Sequence, residues 1–266
     1  MAYELWISPN TGIRRKGTTF KELQSIFFDN ITTKFIYEPV NSCELTDDAA
    51  SVKEALNNKE FDIVGVIDEN KHIIGYAERL ELTDGLVRQF TKEIRISQVI
   101  SDSTPISFLL DILSDVSFVF VIVKDKISGI VTRADINKPI VRIYLFGIIS
   151  LFEMHLNFWI NEFHDDESWK EKLKEDRLHE AIKTYEMRKG NNDDLSLLEC
   201  LQLCDKKTIL KLTNTFQELF AFSKTQIETL LKDIEKIRNE LAHSQNSIIS
   251  NLEWSKFVNT ISNAQE

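Results

Sequence analysis

The chain has 266 residues, of which 42% are hydrophobic and 28% charged, and a formal charge of −10 from 32 basic and 42 acidic side chains. That length and mixture fit one large or two ordinary globular domains and exclude a disordered chain. The acidic excess is shared, with 16 basic against 21 acidic residues up to Pro139 and 16 against 21 beyond it. Neither half is therefore a strongly basic module that holds duplex nucleic acid by charge.

Residues 1–35 read as an N-terminal extension. Thr19-Phe-Lys-Glu22 fits a capping box ahead of Leu23, Ile26 and Phe27, which predicts a short helix over 20–29. Arg14-Arg15-Lys16 reads as a solvated turn, because three adjacent basic residues do not converge on one point. The start has no long apolar region behind its basic residues and does not read as a signal peptide.

Residues 36–138 read as α/β, with two copies of one βαββα unit of about sixty residues. The first runs from Cys43-Glu-Leu through a helix around Ala49 to Leu56. The strand Ile63–Ile67, a turn at Asp68-Glu-Asn-Lys and a strand around Ile73–Glu78 follow. The second has a short strand at Val99-Ile100, a turn at Ser103-Thr-Pro-Ile106 and a helix over 107–114. It continues with the strand Phe118–Val123, a tight hairpin and the strand Gly129–Val131, then Thr132-Arg-Ala-Asp135 at a helix entry.

All four prolines and six of the eight glycines lie in residues 1–139. Beyond them, residues 139–266 read as an all-helical bundle that Pro139 opens at its first turn. Helices are predicted over 139–162, 167–188, 194–203, 206–221, 224–243 and 252–262. Asp165-Asp166 would cap the second, and Gly190 would end it. On the first, Ile143, Phe146, Leu151, Met154 and Phe158 form an apolar surface too broad for one packing stripe. It predicts burial against both the bundle and a second subunit, hence a homodimer. The longest apolar run, Ile143 to Phe152, is short of the ~18 residues that span a bilayer. Three cysteines, Cys43, Cys200 and Cys204, make no disulfide framework, so reduced thiols and a cytoplasmic, soluble protein without a membrane partner are expected.

The α/β repeats resemble CBS domains, named after cystathionine β-synthase, which occur as tandem pairs. The residues that carry the resemblance are Gly129-Ile-Val-Thr132-Arg-Ala-Asp135 behind an apolar strand. The resemblance implies a regulatory ligand, an adenine nucleotide such as AMP or ATP. Asp135 would accept the ribose hydroxyls, Thr132 would meet ribose or phosphate, and Ile100 and Val121 would form the apolar slot for adenine. The same tetrapeptide is also a capping box in its own right. The first copy departs from the pattern: Gly75-Tyr-Ala-Glu78-Arg-Leu-Glu81 has Glu at both positions, and Glu78 would repel a phosphate. The pair is then expected to have one site at most.

In the helix over 224–243, Ile227, Leu230, Leu231, Ile234, Ile237 and Leu241 form one stripe, and Arg238 falls within it at ~100° per residue. An arginine there needs an acceptor. Arg238-Asn-x-x-x-His243 in an all-α domain resembles HEPN domains, helical dimers of which many are metal-independent endoribonucleases. By that resemblance His243 would be the general acid/base, Arg238 would stabilise the phosphorane and Asn239 would position an RNA phosphate. On one straight helix Arg238 and His243 stand ~140° apart, so a helix end or a second subunit would have to complete the site. In the plainer reading Arg238 pairs with an acidic residue and His243 caps the helix end. His164-Asp-Asp-Glu167 points in several directions and does not read as a metal site, nor do His72, His155 and His179. Cys200 and Cys204 read as packing one turn apart.

Two functions follow as expectations. One is an adenine-nucleotide sensor that regulates a metal-independent endoribonuclease dimer. The alternative is a non-catalytic sensor or scaffold whose helical domain only dimerises or binds a partner.

Overall fold

The computed structural model describes residues 25–191, 195–213, 222–242, 247–248 and 252–265. They form two compact units, one of residues 31–141 and one of residues 142 onward with those before 31.

In the first unit the strands are β1 (Glu38–Pro39), β2 (Ser42–Glu44), β3 (Ile63–Ile67), β4 (Ile73–Glu78), β5 (Val99–Ser101), β6 (Phe118–Val123) and β7 (Lys126–Thr132). Helix α1 (Ala49–Lys59) follows β2, and α2 (Ile106–Asp115) follows β5. In each copy the strand before the helix pairs parallel with the strand after it, and that strand turns back antiparallel: β2-β3-β4 and β5-β6-β7. The repeat seen in the sequence is therefore a repeat of topology. Asp48 caps α1 by accepting from the Ser51 amide at 2.9 Å, and Glu60, at φ 57°, ends it in the left-handed region. The second hairpin needs only two residues, with Lys124 left-handed at φ 61°.

Each copy borrows an extra antiparallel segment. Residues ahead of the first copy supply β1, which pairs with β7 through Glu38 opposite Ile130. The link between the copies supplies Lys92 opposite Tyr76 on β4. Glycine marks both crossings. A Cβ on Gly75 would stand 2.7 Å from the Lys92 carbonyl oxygen, and one on Gly129 would enter the Tyr37 ring. One core lies in the first copy, among Cys43, Ala49, Leu56, Val64, Val66, Ala77, Leu82 and Val87. The copies meet through Tyr76, Phe118 and Phe120, whose ring centroids lie 5.4 to 5.7 Å apart.

The second unit is helical: α3 (Pro139–Phe163, whose first residues belong to the first unit), α4 (Glu175–Gly190), α5 (Leu203–Lys211), α6 (Lys224–Ala242) and α7 (Trp254–Gln265). Helix α3 starts at Pro139 and, at 25 residues, is long and apolar enough to cross a membrane by length and composition; 44% of its most apolar window is buried within the protein. On it Leu151 is buried, whereas Ile143 and Phe146 are exposed. Phe27 packs where Gly147 leaves no side chain.

Several predicted helices change. The one over 167–188 is a tight 3-10 segment, Asp165–Lys172, followed by α4. Asp165 and Asp166 do not cap it: Asp166 and Glu167 turn left-handed, Trp169 is buried, and His164 bonds Thr213 at 2.8 Å. Burial of the indole and imidazole overrides the local capping signal. Of the predicted helix 194–203, residue 194 lies outside the described residues and 195–202 hold one 3-10 turn, Leu198–Cys200, ahead of α5. Gly190 is the last helical residue without a left-handed φ. Of the helix predicted over 20–29, a single π turn, Ser25–Asp29, is described; residues 20–24, Arg14-Arg15-Lys16 and 214–221 lie outside the described residues.

Candidate functional site

The most organised polar cluster stands where β7 ends. Thr132 leaves the strand at φ −121°, and a 3-10 turn, Arg133–Asn137, begins at once. The Thr132 hydroxyl accepts from the Ala134 amide at 3.3 Å, while Asp135 Oδ2 accepts from the Thr132 amide at 2.7 Å and its hydroxyl at 3.1 Å. The tetrapeptide thus closes a reciprocal capping box. The other oxygen, Asp135 Oδ1, is held by Lys138 Nζ at 2.9 Å.

Lys138 also donates to the Ile36 carbonyl and the Glu38 carboxylate. Burial alone would lower its pKa, but the carboxylates of Glu38 and Asp135 outweigh that and hold it above the usual lysine value. The Asp135 side chain is 13% exposed, that of Lys138 26% and that of Glu38 61%. Arg133 faces elsewhere and donates to the carbonyls of Leu113 and Ser114. Neither Lys138 nor Glu38 stood out in the sequence. The i,i+3 spacing of Asp135 and Lys138 was the available signal for one; Glu38 lies about a hundred residues away and becomes visible only through the β1–β7 pairing.

Ile100 and Val121 are brought together, since they are direct partners across the parallel β5–β6 pair. They do not stand with Thr132. Thr132 lies opposite Phe118, and Ile130 opposite Phe120. Because side chains alternate along a strand, Thr132 shares its face with Phe118, Phe120 and Ile130, while Val121 and Ile100 fall on the other face. Val121 is wholly buried and Ile100 is 9% exposed. Both pack in the core of the second copy, on the sheet face away from Thr132.

The first copy places Glu78 and Glu81 where the second has Thr132 and Asp135. Both glutamates bind one ammonium, Lys92 Nζ, at 2.8 and 2.7 Å. The hydrogen bonds that Lys92 donates to these carboxylates hold its pKa well above the usual lysine range. The corresponding capping hydroxyl is missing, and both carboxylates already share the one ammonium.

In the helical unit Arg238 Nε pairs with Glu153 Oε1 at 3.3 Å, and its side chain is 42% exposed. It lies at the edge of the α6 stripe, beside the buried Ile234 and Ile237. Glu153 also faces Lys206 at 3.9 Å, whose own pKa is lowered by burial against the pull of Glu153. Asn239 is exposed, and His243 lies outside the described residues. Among the described residues no group of His, Cys, Asp or Glu is placed to hold a metal ion. All three cysteines are free thiols; burial, aided by Asp47, pushes Cys43 up to about 11.

Residues 91–142, which hold the second copy, match the model of the CBS domain. Solved structures similar to part of this chain include CBSX2 in complex with AMP, 20% identical over 44% of this chain and 98% of that one, with a TM-score of 0.37. A second is a CBS domain pair in complex with 5′-methylthioadenosine and S-adenosyl-L-methionine, at 16% identity over 40% and 95% with a TM-score of 0.35. A third is a putative acetoin utilization protein from Vibrio cholerae, at 14% identity over 45% and 96% with a TM-score of 0.38. No curated protein sequence matches the chain.

Proposed function

We propose that this protein is a regulatory nucleotide sensor, in which the second copy of the α/β repeat binds an adenine nucleotide through Thr132 and Asp135. The observation that carries the reading is the closed Thr132–Asp135 box inside the segment that matches the CBS domain model. A carboxylate already oriented by two hydrogen bonds presents acceptor lone pairs to a vicinal diol. Preorganisation of this kind lowers the ordering cost of binding. Titration calorimetry of the full chain with AMP and ATP tests the reading. Saturable binding that Asp135→Ala weakens at least ~10-fold, the loss of about one strong charge-assisted contact, supports it; no heat with any adenine nucleotide rejects it.

For the helical unit, the pairing of Arg238 with Glu153 favours an interaction module over an endoribonuclease. A guanidinium already neutralised by a carboxylate is poorly placed to stabilise a phosphorane. In this reading the unit is a homodimerising or partner-binding output that the nucleotide biases through α3. Incubation with single-stranded RNA in the presence of a chelator separates the two outputs. Intact RNA is expected; cleavage that His243→Ala abolishes would establish the nuclease, with Arg238 and Asn239 in the roles given above.

A further inference from the structure

The geometry points to Lys138 as an internal competitor of the ligand at Asp135, through which binding is reported to helix α3; this inference rests on the proposed nucleotide site. Three observations carry it. Asp135 Oδ2 is committed to the amide and hydroxyl of Thr132, so an incoming ribose finds its acceptor at Oδ1. That oxygen is the one Lys138 holds at 2.9 Å. And Lys138 immediately precedes Pro139, the first residue of α3, so whatever frees its side chain acts at the start of that helix.

The alternative anchors for the ammonium are already in place. Lys138 also binds the Ile36 carbonyl and the Glu38 carboxylate, so when a ribose hydroxyl takes Oδ1 the lysine can withdraw onto β1 and its approach without losing its charge partner. Two carboxylates around one ammonium are thus two positions for Lys138, with the ligand favouring the one at Glu38. The first copy shows the contrasting case. There Lys92 is shared by Glu78 and Glu81, and it sits on the crossing segment rather than at the start of a helix, so nothing comparable follows it.

A ligand and an ion pair that compete for one atom are linked reciprocally: each weakens the other by the same factor. A partly exposed pair of this kind is worth a factor of about two to five. Lys138→Met should therefore tighten AMP binding about two- to fivefold in the full chain, because the competitor is gone. It should also abolish the AMP-induced change in amide hydrogen exchange over the first two turns of α3. Glu38→Gln should act in the opposite sense, weakening AMP binding, because Lys138 then has only Asp135 as a carboxylate partner. Opposite signs in these two variants support the inference and do not depend on either one alone retaining full stability.

Weaker AMP binding by Lys138→Met would overturn it, since Lys138 would then be a direct ligand of the phosphate. Unchanged affinity, with the α3 exchange response intact, would overturn it too. Failure of the parent reading looks different: wild-type protein would bind no AMP at all, and the competitor would have nothing to compete with.

Discussion

The two copies of the α/β unit share a backbone plan and differ in how they treat charge at the same place. Each receives a crossing segment at the last strand of its hairpin, at Tyr76 in the first and Ile130 in the second. In the first, that segment brings a lysine to two glutamates, both of which it binds. In the second, it brings an acid, Glu38, and the balancing lysine comes from the residue before α3. Between them Thr132 and Asp135 form a capping box whose carboxylate has only one oxygen in an ion pair. The scaffold occurs twice; the Thr132–Asp135 box stands in the second copy, where the first has Glu78 and Glu81.

The largest test of that comparison is at the place the copies share. Phe120 is wholly buried in the cluster with Tyr76 and Phe118. Phe120→Ala should cost about 3–5 kcal/mol, read as a lowered denaturant midpoint, with residues of both copies unfolding together. Loss of the second copy alone would mean that the copies are independent.

Next come the two crossing glycines. Gly75→Ala and Gly129→Ala should each cost about 1–3 kcal/mol through overpacking, and Gly75→Ala should cost more. Its new methyl meets the backbone carbonyl of Lys92, whereas the one on Gly129 meets the Tyr37 ring, a side chain and not backbone. Equal costs in thermal melts would show that both crossings yield alike.

A smaller effect separates the α/β unit from the helical one by pH. Burial lowers the pKa of His155, and burial, then the charge of Lys172, lowers that of His164, from the usual 6.5. The folded state then binds fewer protons than the unfolded state just below that value. The stability these groups contribute is complete above about pH 6.5 and is lost as the pH falls through 6.5 toward their folded values. Each histidine contributes a slope of at most about 1.4 kcal/mol per pH unit. Denaturant midpoints at pH 7, 6 and 5 should fall in that order, and the fall should shrink in His164→Gln.

Much of the α/β unit was legible because its signals are local. Alternating and continuous apolar runs marked β3, β6 and β7, and the internal repeat tied them into one plan. Thr132 and Asp135 were readable as a box from spacing alone. The face that Val121 and Ile100 occupy was not readable, because it depends on register: Thr132 and Val121 are separated by an odd number of steps across the β6–β7 ladder. Lys138 and Glu38 became part of the site only through a strand that crosses from the other end of the unit. In the helical unit, apolar periodicity found α3 and α6. It failed over 165–172, where burial of Trp169 and the His164–Thr213 bond outweigh the helical pattern. Arg238 was flagged by its place in the stripe, but its partner on α3, Glu153, has no local signature.

The most direct test of the central claim, that one copy and not the other is the sensor, is a nuclear magnetic resonance titration of the full chain with AMP. The backbone amides of Thr132 and Ala134 and those of Glu78 and Glu81 would be followed together. The account predicts saturable shifts at Thr132 and Ala134, absent in Asp135→Ala, and still peaks at Glu78 and Glu81. Saturable shifts at Glu78 and Glu81 with Thr132 unmoved would contradict it, placing the ligand in the copy that lacks the Thr132–Asp135 box.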